Sequence, residues 1–220
     1  MTVTSSVPLA SRLAHMKSSS TLRVLQVTER LRAEGIDVIS LGAGEPDFPT
    51  PENIKHAGMT AIEAGFTKYT PAGGIADLKR AIIERIRRDF GADYGPEETI
   101  ATVGGKQAIF EAMAAIIDHG DDVLLPAPYW VTFPEVVNFA GGRSIIIDTE
   151  PNAFGLTADM VAAHMTPKTK LIIVNSPNNP TGRIVAADEM RKIVELAAEN
   201  DAWVLSDDCY LYFVYPPVQP

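Results

Sequence analysis

The chain has 220 residues, of which 46% are hydrophobic, and this is enough for a packed globular core. A formal net charge of -9 without a long basic run argues against nucleic acid or an anionic membrane as a partner. No segment approaches the roughly 18 uninterrupted apolar residues of a membrane span, and the single cysteine, Cys209, excludes an internal disulfide framework. We therefore expect a cytoplasmic protein whose partner is a small molecule or another protein.

The N-terminal part of the chain predicts three amphipathic helices and one strand. The helices are expected over residues 22–33, 52–64 and 75–90. Pro51 suits the start of the second helix, because its missing N–H would have had no partner there. The strand is expected over residues 37–41, and it runs into the turn-rich segment GAGEPDFPTP.

From residue 99 onward, apolar strands alternate with helices. The expected strands are residues 99–103, 122–126, 144–147, 170–174 and 203–207, and the expected helices are residues 106–117, 131–139, 158–164 and 186–199. Strands that are apolar on both faces and separated by helices are typical of a parallel sheet covered on both sides. The predicted fold class is therefore α/β, with a mainly parallel sheet sandwiched by helices.

Ligand chemistry gathers at the carboxyl ends of parallel strands, so the loops there are candidates for a site. In TVGGKQA two glycines precede a predicted helix whose first amides could bind an anion, although a plain tight turn would also use them. Ile100 and Gln107 exclude a Walker A loop, and Asp47 stands where a dinucleotide fingerprint needs its third glycine.

Three further loops carry side chains that suit a ligand. In PAPYW, Trp130 either stacks on a planar ligand or belongs to the core. In NSPNNPTG two prolines stiffen the backbone and the asparagine amides offer donors and acceptors, which is more than a plain turn needs. In SDDCY, Asp207 is either a solvated acid or the partner of a buried cation, whose proton it would hold by charge pairing.

Taken in chain order, six segments resemble the aspartate aminotransferase family, the fold-type I enzymes that use pyridoxal phosphate. The segments are LGAGEPDFPTP, TKYTPAGG, TVGGKQA, PAPYWVTFPE, NSPNNPTG and SDDCY. The likeness is closest to the bacterial subgroup that includes aspartate and prephenate aminotransferases. It implies an N-terminal arm and part of a small domain in residues 1–47, and the first part of the large cofactor-binding domain in residues 48–220.

The resemblance implies how pyridoxal 5'-phosphate would be held. Gly105 and Lys106 would bind the phosphate at a helix start, and Trp130 would stack against the ring. Asp207 would pair with the protonated ring nitrogen, so that the ring stays an electron sink. Asp207 and Tyr210 are the expected catalytic residues within this chain, and no metal ligand is expected.

Substrate binding and assembly are implied in the same way. Tyr210 and Asn179 would donate hydrogen bonds to the 3-hydroxyl oxygen of the ring. Tyr69 would reach the phosphate of the neighbouring subunit in a homodimer with shared active sites. Lys17 is a further, weaker candidate for substrate binding. Four residues are expected to contact the amino acid substrate: Gly44, Lys106, Trp130 and Asn179.

The family's Schiff-base lysine normally follows the segment that SDDCY matches, and it is absent from these 220 residues. Lys170 and Lys192 cannot replace it, since one opens a predicted strand and the other lies on a predicted helix. We therefore expect the N-terminal part of a longer aminotransferase, inactive alone. The parent would move an amino group from an L-amino acid, with aspartate favoured, to a 2-oxo acid. The alternatives are a pyridoxal-phosphate-dependent lyase of the same fold and a non-catalytic aminotransferase-like binding module.

Overall fold

The structure is a computed structural model, and it describes residues 10, 13, 20–42, 44, 46 and 48–216. Lys17 and Asp47 lie outside these residues. The chain divides into two compact units: a helical unit, Ser20–Gly104, and a sheet unit that contains the described residues from Gly105 onward. The division at residue 47, which concerns the domains of a longer protein, stays a prediction.

The helical unit contains the three predicted helices: α1 (Ser20–Ala33), α2 (Glu52–Glu63) and α3 (Ala76–Phe90). A 3-10 turn at Pro96–Glu98 follows α3. The Lys79 ammonium of α3 donates a hydrogen bond of 2.8 Å to the Pro96 carbonyl, which ties this turn to the helix. Within the part of the chain that the structure describes, no helix is long and apolar enough to cross a bilayer.

Two of the predicted strands are wrong. Residues 37–41 and 99–103 form neither strand nor helix, and Ile39 and Val103 within them are almost fully exposed. Apolar alternation predicts a strand only where a second strand supplies hydrogen-bond partners. Neither segment pairs with a strand among the described residues, so each runs as irregular backbone.

The sheet unit confirms the predicted α/β class and the remaining strands. Its strands are β1 (Asp122–Ala127), β2 (Arg143–Asp148), β3 (Thr169–Asn175) and β4 (Trp203–Asp207), and they lie in the order β2-β1-β3-β4 with every neighbouring pair parallel. Its helices are α4 (Gly105–Ile116), α5 (Thr132–Ala140), α6 (Ala158–His164) and α7 (Ala187–Glu199). The sequence placed each of these elements to within about two residues.

The sheet is covered on both faces because successive side chains of a strand point to opposite sides. One face packs against α4 and α5 through the buried residues Ile109, Met113, Phe133, Val137, Val123, Leu125, Leu171 and Ile173. The other face packs against α6 and α7 through Leu124, Ile147, Ile172, Val174, Val161, Ile193 and Ala197. The central strands β1 and β3 therefore carry continuous apolar runs, which made them easy to predict.

A buried ion pair closes the amino ends of β1 and β2. The Asp122 carboxylate, which is fully buried, accepts hydrogen bonds of 2.7 and 2.9 Å from the Arg143 guanidinium and one of 2.6 Å from the Thr166 hydroxyl. The hydrogen bonds from Arg143 lower the pKa of Asp122 below its usual range, against the opposing effect of burial.

Strand order places the candidate site at the opposite, carboxyl ends. From β1 the chain crosses to β2 on one side and then passes to β3 on the other side of β1. In open parallel sheets, the ligand crevice forms at the carboxyl ends of the strands that flank such a reversal. The loops at that point follow Ala127 and Asn175, and they are PAPYW and NSPNNPTG.

Candidate active site

Trp130 lies just after β1, is half-buried and has two neighbours that contact its ring. Phe133 packs edge-on against the indole at 5.7 Å between ring centroids. The Lys106 ammonium lies over the indole at 5.1 Å from the centroid, which is within the range of a cation–π contact. The structure thus brings Lys106 and Trp130 together.

Lys106 occupies the first turn of α4. Gly104 has a φ of +79°, a backbone conformation that glycine adopts without strain, and α4 begins at the next residue. The first N–H groups of a helix have no acceptor within the helix, and together with the helix dipole they favour an anion. Gly105 and Lys106 are both exposed at this point.

The loop NSPNNPTG is tied to both neighbouring loops by asparagine side chains. The Asn178 amide donates a hydrogen bond of 3.2 Å to the Pro128 carbonyl in PAPYW, and its oxygen accepts from the hydroxyl of Thr181 at 2.8 Å. The Asn175 side chain donates a hydrogen bond to the Asp207 carbonyl and accepts one from the Asn179 N–H. Asn179 is therefore held close to the end of β4.

Asp207, the last residue of β4, is half-buried. Burial raises the pKa of its carboxyl above the usual range; the N–H of Cys209, which donates to the carboxylate at 3.1 Å, lowers it, and the nearby charge of Asp208 raises it. Among the described residues no basic side chain forms an ion pair with Asp207. A desolvated carboxylate of this kind gains from a cationic ligand.

The other predicted site residues are placed more loosely. Tyr210 follows Asp207 by three residues, is exposed and packs edge-on against Phe213 at 6.3 Å between ring centroids. Gly44 and Tyr69 belong to the helical unit and are exposed. The structure therefore gathers Lys106, Trp130, Asn179 and Asp207 at one end of the sheet, with Tyr210 close by in sequence.

Asn175 and Asn178, which hold the loops together, were not among the predicted site residues. The signal was present, because a turn with three asparagines has amide groups to spare. Apart from the Thr181 hydroxyl, the partners of these amides are backbone carbonyls and N–H groups, which a sequence does not single out.

Among the described residues, no group of three or more His, Cys, Asp or Glu side chains could hold a metal ion.

A family model described as "Aminotransferase class I and II" matches residues 36–219. The chain belongs to this aminotransferase family. A "Probable aspartate/prephenate aminotransferase" from Aquifex aeolicus is 45% identical over 208 residues, which are 94% of this chain and 53% of that protein. An "Aspartate aminotransferase" from Geobacillus stearothermophilus is 43% identical over 208 residues, with 94% and 53% covered.

Solved aminotransferases share the fold. The aspartate aminotransferase from Thermus thermophilus with maleate matches with a TM-score of 0.93 at 43% identity, covering 96% of this chain and 56% of that one. These matches confirm the family that the six segments indicated. The chain spans about half the length of the curated aminotransferases it matches.

The residues of this aminotransferase chain fit a flat, cationic, phosphorylated ligand. Asp207 offers a desolvated carboxylate for a cation, and Trp130 offers an aromatic face. The start of α4 offers backbone N–H groups for an anion. Each of these three features is complementary to a different part of such a ligand.

Proposed function

We propose that the protein, at the full length of its relatives, is a pyridoxal-phosphate-dependent aminotransferase. It transfers an amino group from an L-amino acid to a 2-oxo acid. The observation that carries this proposal is the half-buried carboxylate of Asp207, which has no ion-pair partner among the described residues and lies at the same end of the sheet as Trp130 and Asn179. A cytoplasmic location is part of the proposal.

Each part of the cofactor has a complementary group in this chain. The N–H groups around Gly105 and Lys106 bind the phosphate, and the Trp130 indole stacks on the ring. Asp207 holds the proton on the ring nitrogen by charge pairing. The bound cofactor supplies the electron sink for the carbanion that forms when the substrate loses its alpha proton.

Asn179 and Tyr210 would hold the 3-hydroxyl group of the ring. Both side chains carry a donor, an amide N–H and a phenol O–H, and both donate to the 3-hydroxyl oxygen. The Asn179 backbone is fixed by Asn175, so its side chain starts from a defined position. Asp207 and Tyr210 are the catalytic residues that this chain contributes.

Aspartate is the favoured amino donor. The names of the two relatives and of the solved structure reported above all include aspartate. Lys106 carries the ammonium that would meet the distal carboxylate of such a substrate, and it lies over Trp130 at the edge of the site. Gly44, Trp130 and Asn179 complete the proposed substrate contacts.

The remaining half of the relatives' length supplies what this chain lacks. We place the lysine that binds the cofactor covalently there, so the 220-residue chain alone does not transaminate. Tyr69, an exposed phenol in the helical unit, would reach the phosphate of a partner subunit in a homodimer. Light scattering of the full-length protein should then give twice the mass of one chain.

The function is tested with purified full-length protein, pyridoxal 5'-phosphate and L-aspartate. We expect more than one equivalent of oxaloacetate per active site to form only when a 2-oxo acid such as 2-oxoglutarate is added, with glutamate produced in equal amount. Continued turnover of the amino acid without any 2-oxo acid would instead indicate a lyase. Failure of the protein to bind pyridoxal 5'-phosphate would rule out both enzymes and favour a non-catalytic module.

A further inference from the structure

Asn175, the last residue of β3, joins two of the proposed functional residues through one side-chain amide. Its Nδ2 donates a hydrogen bond of 3.1 Å to the carbonyl oxygen of Asp207, and its Oδ1 accepts one of 2.7 Å from the N–H of Asn179. We infer that Asn175 is a positioning residue that sets the separation between Asp207 and Asn179. This inference deepens the proposed function and rests on it for the roles of those two residues.

The contact with Asp207 extends the pairing of β3 and β4 at the end that carries the site. Asn175 and Asp207 are register partners in the parallel pair, and the Ser176 N–H also donates to the Asp207 carbonyl, at 3.2 Å. The Asp207 carbonyl thus accepts two hydrogen bonds from consecutive residues of the neighbouring chain segment. Because β4 is at the edge of the described sheet, β3 is the only described strand that pairs with its last residue.

The contact with Asn179 closes the turn that follows β3. Pro177 and Pro180 cannot donate, so few N–H groups are available to fold this loop. The Asn179 N–H is used by the Oδ1 of Asn175, and the Asn178 N–H is used by the Arg183 carbonyl at 2.8 Å. Loss of the Asn175 oxygen would leave the backbone N–H of Asn179 without its acceptor.

The two contacts fix the orientation of the Asn175 amide. A flipped amide would point its NH2 group at the Asn179 N–H and its oxygen at the Asp207 carbonyl, which replaces two attractive contacts by two repulsive ones. A planar group held at both ends acts as a spacer of fixed length. Asp207 and Asn179 are proposed to contact the same ligand, so the distance between them matters for binding, and Asn175 fixes that distance.

The test uses three variants of the full-length protein. Asn175→Leu keeps the approximate size and removes both contacts. Asn175→Asp keeps the acceptor for Asn179 and removes the donor to Asp207. Asn200→Leu is the matched control, because Asn200 also ends an element and also donates one hydrogen bond to a carbonyl, that of Leu196 at 2.8 Å, but at the end of α7.

The first measurement is amide hydrogen exchange without cofactor. We expect the Asn179 amide to exchange at least about tenfold faster in Asn175→Leu than in the unmodified protein, and to be protected again in Asn175→Asp. The control should leave it unchanged. Equal protection of this amide in all variants would overturn the inference, whether or not the protein binds pyridoxal 5'-phosphate.

The second measurement is the affinity for pyridoxal 5'-phosphate. Asn175→Leu should bind it about tenfold more weakly, as expected for the loss of two hydrogen bonds that position the site. Combined with Asn179→Ala, the loss should be clearly smaller than the product of the two single losses, because Asn175 acts partly through Asn179. Unaltered affinity of Asn175→Leu, or losses that multiply fully, would exclude the positioning role.

The two measurements separate this inference from the proposed function. An unmodified protein that does not bind pyridoxal 5'-phosphate contradicts the proposed function, and the exchange measurement alone then decides about Asn175. An unmodified protein that binds the cofactor, with Asn175→Leu binding it equally well, leaves the function standing and removes Asn175 from the site.

Discussion

Asp207 combines partial burial with a negative charge that has no ion-pair partner among the described residues. A carboxylate in this position is less stable than one in water, which is why its pKa is raised. A protonated ring nitrogen would offset that cost by direct charge pairing. The same side chain therefore explains both the unusual pKa and the proposed selectivity for a cationic ring.

Replacing Asp207 by alanine should lower the turnover number of the full-length protein by about 10²- to 10³-fold, the loss typical for a group that stabilises charge in a reacting site. Transfer of the amino group from aspartate to 2-oxoglutarate is the measurement. Asp201→Asn is the control, since Asp201 is exposed and lies before the opposite end of β4. Near-normal turnover of Asp207→Ala would exclude this residue from the chemistry.

The raised pKa of Asp207 also predicts how cofactor affinity depends on pH. Pairing with a cation needs the ionised carboxylate, so affinity should fall as pH drops through the pKa of Asp207. The charge of Asp208 contributes to that raised pKa, and Asp208→Asn should therefore move the fall to lower pH.

A pH titration of pyridoxal 5'-phosphate binding to both proteins measures this shift. The ligand's own groups titrate identically in the two experiments, so the difference reports on Asp207. Profiles that superimpose would show that Asp208 does not act on the site.

At this scale the sequence predicted the side chains that face a ligand but not those that support them. Asp207 and Asn179 stand out because their residue types suit a ligand at a strand end. Asn175 does not, because its role depends on the carbonyl of a residue 32 positions later in the chain. That carbonyl is brought close only by the register of β3 with β4.

The loops after β1 and β3 behave as one element because they are joined by side chains. The Asn178 amide donates to the Pro128 carbonyl, two residues before Trp130. The Thr149 hydroxyl, just after β2, donates a hydrogen bond of 2.6 Å to the Ala127 carbonyl at the start of the same loop. The position of the indole is therefore set by contacts from two neighbouring loops.

Asn178→Ala should release PAPYW from NSPNNPTG. We expect the fluorescence maximum of Trp130 to move to longer wavelength, since a looser loop admits water, and the free energy of unfolding to fall by about 2 kcal/mol for the lost hydrogen bonds. The measurement needs a background in which Trp203, the other tryptophan of these 220 residues, and any tryptophan in the rest of the full-length protein are replaced by phenylalanine, so that Trp130 is the reporter. Asn200→Ala serves as control, and an unchanged Trp130 emission would contradict the coupling.

Elements were predicted best where one strand or helix carried its own signal. The buried runs of β1 and β3 and the 3.6-residue periodicity of α7 needed no knowledge of neighbours. The two false strands, residues 37–41 and 99–103, show the opposite case. Their apolar residues resemble those of a strand, but a strand forms only when a second strand pairs with it. That second strand can come from anywhere in the chain, so a local pattern does not predict it.

For the whole molecule, Asp122 is the only charged side chain that is buried among the described residues, and it pairs with Arg143 across β1 and β2. The carboxylate is fully buried and the guanidinium reaches the surface. Two strands and the Thr166 loop meet at this one carboxylate. An asparagine here would keep one acceptor oxygen and place an NH2 group against the donors that face the other oxygen.

Asp122→Asn should lower the free energy of unfolding at pH 7 by about 3 kcal/mol, the lower end for breaking a buried ion pair, because Arg143 is largely exposed. The folded pKa of Asp122 lies below the unfolded value of about 3.9. Its stabilisation is thus complete above the unfolded pKa and is lost as pH falls through the folded pKa.

Chemical denaturation of the full-length protein at pH 7 and at pH values below about 4 checks both the size and the sign. The difference between the unmodified protein and Asp122→Asn should shrink in acid. Asp77→Asn, which removes an exposed ion pair with Arg80, should cost less than about 1 kcal/mol at either pH. A difference for Asp122→Asn that does not change with pH would contradict the assignment.

Asp122 and Ala127 are the two ends of the same six-residue strand, so the ion pair and the loop with the indole are separated by roughly 17 Å of backbone. Residues in the loop after Ala127 can therefore change without altering the ion pair that stabilises the sheet at Asp122. A protein engineer could exploit this separation by strengthening the Asp122 rim first, and only then randomising the far loops in search of new amino donors.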